Sequence, residues 1–347
     1  MDARADITIR GAGIFGLSIA WVCATRGARV QVIDPNGPGA GASGGLVGAL
    51  APHVPENWNA KKAFQLDSLL MAKSFWDGVH AAGGVQPGYA RTGRLQPIAD
   101  ERALDLARGR ERSAKEFWQG KATWQVVARQ DVGTWAPYSE TGQLIFDTLS
   151  ARLHPRQACA ALVAALKASG VPVLQEGPER GQVIHATGVA GLENLSSRLN
   201  RSVGNGVKGQ AALLRFDAAN SPQLFSDGLH LIPHADGTLA IGSTSERDFD
   251  APSTTDTLLE NLITRVRNAM PVLRDAPVIE RWAGIRPRSK SRAPMIGPHP
   301  VQPGHFIANG GFKIGFGMAP KVAETMADLV LDGRDHIPAD FRVEASL

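Results

Sequence analysis

Cysteine is scarce: Cys23 and Cys159 are the only two in 347 residues. One bond between positions 136 apart would be a poor framework, and the spacing is not that of a zinc site. Both read as buried thiols in a reducing compartment. Charge is missing from residues 35–55, a run long enough to span a membrane on length alone, but its six glycines and four prolines exclude a lipid-embedded helix. The opening MDARADITIRGAG lacks the basic-then-apolar layout of a secretory signal and passes directly into a strand. A cytoplasmic location is expected. Lys and Arg number 37 against 33 Asp and Glu, a net +4 that is too weak to announce a nucleic-acid binder.

Glycine is what the chain has in excess, 38 in 347 residues, about half as much again as the usual ~7%. There is no three-residue period, so collagen is excluded and the glycines serve local purposes. With 43% hydrophobic and 20% charged residues the chain buries a large core, and its length suits about two domains.

The pattern of elements begins with a βαβ unit. Residues 6–10 (DITIR) read as a buried strand, GAGIFG follows at 11–16, an apolar helix runs on to Gly27, and residues 29–33 (RVQVI) form a second strand ending at Asp34. Apolar spacing predicts helices over 59–82, 101–118, 256–270 and 318–331, and Pro155 opens another that Gly170 ends. Strands are expected at 171–174, 182–186, 278–288 and 305–308. Alternation across 207–249, with a turn at Asp236-Gly237, predicts an antiparallel sheet. Residues 121–150 mix short β-like runs with turns, and no internal repeat or low-complexity linker separates domains, so a second domain would be inserted into the first.

Within GAGIFG, Gly11 permits the tight turn, Gly13 lets the backbone approach a pyrophosphate, and Gly16 lets helix and strand pack closely. The helix N-terminus then offers unpaired N–H groups and a positive dipole end to phosphates. Asp34, 23 positions after Gly11, is placed to accept ribose hydroxyls. The motif alone does not separate FAD from NAD. A second glycine cluster, residues 39–45, has Ser43 inside it; it is either a flexible loop or a small-residue surface against which a bulky cofactor lies, with Ser43 hydrogen-bonded to it.

The C-terminal third carries WAGIRP (282–287), PMIGP (294–298) and GGFKIGFGMAP (310–320). With GAGIFG, Asp34 and GASGG (41–45), these motifs resemble, in order and over nearly the whole chain, the D-amino-acid oxidase superfamily of flavoproteins. The likeness is greatest to its glycine oxidase and sarcosine oxidase-like branch.

The resemblance implies an α/β fold in which a split Rossmann-like FAD-binding domain (1–82, 140–202, 283–347) holds an inserted antiparallel-sheet substrate domain (83–139, 203–282). It implies oxidation of the C–N bond of a small amino acid or N-substituted glycine, by hydride transfer to the flavin N5. The imine is then hydrolysed and the electrons pass to O2, giving H2O2, or to another acceptor. No acid or base is required if a neutral amine gives up its Cα hydrogen as hydride. Arg286 falls on the arginine that binds the substrate carboxylate, for which a guanidinium fork is suited, and Lys313 falls on a second carboxylate contact. For Arg286 the alternative is a surface charge in the run RPRSKSR, 286–292. His230 is either a pocket residue or a core histidine, and His53 a weaker candidate. Cofactor contacts carry over to Gly11, Gly13, Ile14, Phe15 and Gly16; to Asp34, Pro35, Ala42, Ser43 and Gly44; to Thr187 and Gly188; and to Gly311, Phe312, Lys313, Ile314 and Gly315. The last helix should aim its N-terminus at the pyrimidine edge of the flavin, where reduction places negative charge.

Three departures stand out. Where sarcosine oxidase-like enzymes attach flavin to a cysteine, this chain has residues near Gly284 and neither cysteine, so FAD is expected to be non-covalent. Between 170 and 188 the β-hairpin usual in relatives is shortened. The segment 44–52 is similar to that of the FAD domain of the bifunctional tRNA wobble-uridine modification enzyme, which removes a carboxymethyl group from a secondary amine. With the basic run at 286–292 this keeps a tRNA substrate open, although no methyltransferase domain is fused in this sequence. From other classes, a nicotinamide-dependent dehydrogenase or a non-catalytic nucleotide-binding protein remains open. No metal site is expected and no membrane contact.

Overall fold

The computed structural model describes residues 5–347. Along the chain, β1 (Ile7–Arg10), α1 (Ile14–Thr25) and β2 (Val30–Ile33) form the expected βαβ unit, followed by β3 (Ala49–Leu50) and α2 (Ala60–Gly83). The Asn59 side chain accepts the Lys62 N–H at the start of α2, and Gly84, at φ 72°, ends it in the left-handed conformation that glycine adopts freely. Next come β4 (Arg94–Pro97), α3 (Glu101–Trp118), β5 (Trp124–Ala128), β6 (Gln143–Asp147) and β7 (Ala151–Arg152). Then follow α4 (Pro155–Ala168), β8 (Val173–Leu174), β9 (Gln182–His185) and α5 (Gly188–Leu199). A run of strands, β10 (Gly204–Arg215), β11 (Gln223–Ser226), β12 (Leu229–Pro233) and β13 (Thr238–Gly242), precedes α6 (Thr257–Ala269). The chain closes with β14 (Val278–Ser289), β15 (Met295–Pro298), β16 (His305–Asn309) and α7 (Gly315–Asp332).

Two large sheets result. The first has the order β15-β16-β9-β1-β2-β8 and is parallel except for β15. Its strands are short and apolar, as expected where both faces are covered. Helices α1, α2, α4 and α7 pack together over it, with Leu17, Trp76, Leu162 and Met318 fully buried among them. The second sheet has the order β14-β10-β13-β12-β11-β4-β6-β5 and is antiparallel except where β11 runs alongside β4. One face buries Leu214, Leu239 and Ile241 against Leu259, Ile263 and Val266 of α6. On the other, Ala211, Leu213, Ile232 and Ala240 meet Leu46 and Val47, which directly follow the second glycine cluster, so that loop is clamped onto the second sheet.

Several expectations need correction. Residues 143–147 form β6, paired with β4 and β5 in the eight-stranded sheet, so the segment 140–202 does not belong wholly with the parallel sheet. Likewise β14 continues to Ser289 beside β10, past the expected boundary at 283. Cross-strand pairing, which local periodicity does not report, decides both. Helix α5 has only Leu192 and Leu195 fully buried, which left it without a legible periodic stripe. Strand β11 is four residues long and was likewise not anticipated. Helix α7 begins at Gly315, three positions before Met318.

Between β8 and β9 there is no further strand. Residues in this stretch are tied to the sheet instead: Thr8 Oγ1 donates to the Arg180 carbonyl at 2.7 Å, and Gln31 Nε2 donates to the Pro178 carbonyl at 2.7 Å. Among the described residues no helix is long and apolar enough to cross a membrane. Cys23 and Cys159 are both free and buried.

Candidate active site

The turn after β1 is built by steric exclusion. Gly11 has φ +105°, and a Cβ there would fall 2.3 Å from the Ala186 carbonyl oxygen, so the ends of β1 and β9 meet at bare backbone. A Cβ on Gly16 would fall 1.9 Å from the Gly11 oxygen, which is how closely α1 sits on the turn. The residue before helix α1, Gly13, has no side chain to cap it, and the first turn holds no acid. Apart from the Ile14 N–H, which Ser43 takes, its N-terminal amides and positive dipole end are therefore available to an anion.

Two side chains brace this turn. Asp34 Oδ2 accepts the Ala12 N–H at 2.8 Å, and Oδ1 accepts the Asn36 N–H at 3.0 Å. A carboxylate has about four acceptor positions, so lone pairs remain for a ribose. Ser43 Oγ accepts the Ile14 N–H at 2.9 Å. Serine's own O–H proton is not used in that bond and can be donated to a phosphate oxygen.

These groups open onto a cavity of about 690 Å³, in the upper part of the range for small-molecule and cofactor sites. Of the residues expected at the site, Gly11, Gly13, Ile14, Phe15, Asp34, Pro35, Ala42, Ser43, Thr187, Gly188, Arg286, Gly311, Phe312, Lys313 and Gly315 line it. Gly16 and Gly44 do not; both serve close backbone packing, a Cβ on Gly44 falling 2.4 Å from the Gly39 oxygen. Ile314 is the residue preceding α7 and packs against the main core. His53 is bound elsewhere, its backbone N–H and Nδ1 both directed at Gln65 Oε1, at 2.6 and 2.5 Å.

The far wall comes from the second sheet. Trp282, Gly284 and Arg286 alternate onto one face of β14, opposite Ala211, Gly209 and Val207 of β10. The indole of Trp282 covers Gly284, where a Cβ would lie 2.5 Å from Cζ2. A Cβ on Gly242 would lie 3.0 Å from Val47 Cγ2. Gly209, Ala211, Gly242 and Gly284 thus keep the centre of this face low, and sequence reading assigned none of them a role. The available signal was glycine inside otherwise regular strands, which marks close approach.

Arg286 is half-buried in this wall, and Nη1 donates to the Thr244 carbonyl at 3.4 Å. Burial pushes it down to about 10, against which the charge of Glu246 acts. It remains a cation at neutral pH. No ion pair involves Arg286 or Lys313 among the described residues. Glu246 is engaged by Lys208 at 3.4 Å and by Gln210 Nε2 at 3.1 Å. Lys313 is held below its ordinary value by burial, then by Arg286 and Arg288.

His230 is not part of the cavity lining. It lies on β12 opposite Phe225 and Gly242, its ring 4.6 Å from that of Phe225, and its Nδ1 is buried without a hydrogen-bond partner. Burial first, then the charges of Arg94, Lys313 and Arg286, push it down to about 3, so it is neutral at physiological pH.

The arrangement fits a dinucleotide. A cradle that side chains cannot enter and a helix terminus free of acids stand at the Asp34 end, and two cations without an ion pair among the described residues, Arg286 and Lys313, stand at the other. FAD held there would contact the backbone at Gly11–Ile14, Ser43 and Asp34, with the first turn of α7, also free of acids, facing the same space.

Comparison with known proteins agrees with this. Residues 6–329 match the family model DAO, FAD dependent oxidoreductase. The chain is 28% identical over 361 residues to the bifunctional protein ThiO/ThiG of Synechocystis sp., covering 96% of this chain and 52% of that protein. It therefore spans about half the length of such bifunctional relatives. Glycine oxidase of Geobacillus kaustophilus is 25% identical over 382 residues, covering 95% and 94% of the two chains. A crystal structure of glycine oxidase from Geobacillus kaustophilus superposes with a TM-score of 0.82 at 22% identity, covering 98% of each chain.

Proposed function

Because the chain belongs to the DAO family of FAD-dependent oxidoreductases, we propose that it oxidises the C–N bond of a small amino acid or N-substituted glycine. The observation that carries this reading is Arg286: a half-buried guanidinium with no ion pair among the described residues, in the wall of a cavity whose opposite end fits a dinucleotide. FAD, when bound, supplies the two-electron acceptance that amine oxidation needs.

The chain's own residues then bind and orient. The Arg286 fork takes the substrate carboxylate in parallel hydrogen bonds, and Lys313 adds a second positive charge. Trp282 and the glycines beneath it shape the wall beside the amine. Among the described residues Asp34 is the only acid lining the cavity and stands at the nucleotide end, so none of them places a carboxylate at the cationic end to act as a base. A neutral amine is the form that needs none. The imine product is hydrolysed by water.

FAD is read as non-covalent, since burial pushes both thiols up to about 12 and leaves them protonated. The two free cysteines also support a reducing, cytoplasmic setting. Relatives named glycine oxidase support a small-molecule substrate over tRNA.

The test is anaerobic bleaching of the holoenzyme by a panel of amino acids and N-alkyl glycines, followed by Arg286→Ala on the best of them. Removing one partner of a buried charged pair costs about 3–5 kcal/mol, so KM should rise at least a hundredfold with the flavin spectrum intact. Unchanged kinetics would overturn the assignment.

A further inference from the structure

The start of α4 stands where the two sheets meet, and residues 154–157 each touch a different part of the seam. The ring of His154 lies 4.4 Å, centre to centre, from that of His234, the residue after β12. Pro155 lines the cavity, and a Cβ on Gly48 would fall 3.1 Å from its Cδ. Gln157 Nε2 donates to Asp236 Oδ2 at 3.2 Å. Arg156 spans the seam: its Nε donates to the Gly44 carbonyl at 2.7 Å, while Nη1 and Nη2 take the two Glu280 carboxylate oxygens at 3.0 and 2.6 Å.

Both partners of Arg156 adjoin the cavity wall. Gly44 lies between Ser43 and Gly45, which line the cavity, and Glu280 leaves the same face of β14 as Trp282, Gly284 and Arg286. Trp282 meets the loop directly, a Cβ on Gly45 falling 3.3 Å from Cη2. Arg156 and Glu280 themselves do not line the cavity. A guanidinium is rigid and planar, so a carbonyl on one edge and a carboxylate on another are held in a fixed relation. Displacement of β14 is thereby carried to Gly44 and its neighbour Ser43. The Arg156 and Glu280 side chains are 42% and 35% exposed. Exposed ion pairs add little to stability, so what this contact contributes is alignment.

We propose that Arg156 is a positioning residue that couples the cofactor loop to the substrate wall. It keeps Ser43 and Gly44 in place for FAD and holds the strand bearing Arg286 in register with that loop. The first half needs only FAD binding, and the second rests on the amine-oxidation reading. Without the joint, Arg286 can still take a carboxylate, but the amine is no longer held in one place, and misplacement of a reacting group costs rate.

Two measurements on the FAD-loaded enzyme test this. FAD release after dilution, followed by flavin fluorescence, should be about fivefold faster in Arg156→Ala and about threefold faster in Glu280→Gln, and the double variant should release no faster than Arg156→Ala, because both changes remove one contact. Arg156→Lys, which keeps the charge without the fork, should behave like Arg156→Ala. Melting temperatures should stay close to wild type. On the best amine of the panel, Arg156→Ala should lower the limiting rate of anaerobic flavin reduction about fivefold, with the half-saturating amine concentration within about twofold of wild type. Additive effects on FAD release, full recovery by Arg156→Lys, or a lowered melting temperature with FAD release unchanged would overturn the coupling. A raised half-saturating concentration with an unchanged limiting rate would overturn the hold on β14. If FAD release responds as expected but no amine bleaches the flavin, the amine-oxidation reading fails while the cofactor half of the coupling stands, so the two failures are distinct.

Discussion

The Arg286 guanidinium lies across the backbone of Gly209: a Cβ at position 209 would fall 1.7 Å from Nη1 and 2.2 Å from Cζ. The two residues are on neighbouring strands, and Arg286 reaches past its direct partner Val207 to lie there. Glycine at 209 is thus what permits the Arg286 fork its position.

Gly209→Ala should separate binding from folding. The obstructed atoms are the tip of a flexible side chain, so the strand tolerates the methyl while the guanidinium must move. KM for the amine substrate should rise about tenfold, equivalent to about 1.4 kcal/mol, with flavin content and melting temperature close to wild type. Steady-state kinetics beside a thermal melt decides; a lowered melting temperature with unchanged KM would mean that the glycine serves packing alone.

Ser43→Ala removes the acceptor of the Ile14 N–H, a bond made between buried groups 29 positions apart. An orphaned buried donor costs about 1–3 kcal/mol. Urea unfolding of the apoprotein should register that loss, and FAD titration should show weaker binding as well, since the same hydroxyl has a proton to donate. If only FAD affinity falls, the bond to Ile14 does not stabilise the free protein.

Acid should destabilise the apoprotein through its histidines. His185 is pushed down to about 4, and His230 and His234 to about 3, in each case chiefly by burial. The unfolded chain takes up these protons near pH 6.5, whereas the folded one does not until pH 3–4. Their contribution is therefore complete above pH 6.5 and is lost as pH falls toward 4. Melting temperatures measured from pH 7 to pH 5 should decline, and His234→Gln should make the decline shallower. An unaltered slope would exclude His234 from the effect.

How much of this was legible follows from range in the chain. The βαβ unit at 7–33 is local: its strands, its turn glycines and Asp34 lie within one supersecondary unit, and Asp34 reaches the Ala12 amide across only 22 positions. The ends of α2 and α3 were equally readable, because Asn59 and Asp100 cap within one turn. Where partners are remote, local pattern failed. The strand at 143–147 joined the second sheet because β4 and β5 lie on either side of it, and α5 went unread because its burial comes from β10, β14 and β16 rather than from a broad apolar stripe of its own.

By itself the sequence determined the nucleotide cradle, the alternation of elements and the motifs that mark an FAD enzyme, since each depends on residues close in the chain and on backbone freedom that glycine alone supplies. The tertiary structure decided what faces what. It set Arg286 over Gly209, put Trp282 against Gly45 and Gly284, took His230 out of the cavity lining, and brought Arg286 and Lys313 into one wall with no ion pair to either among the described residues. Strand register and the docking of one sheet's loop on another bring these groups together, and neither is recorded in local sequence pattern.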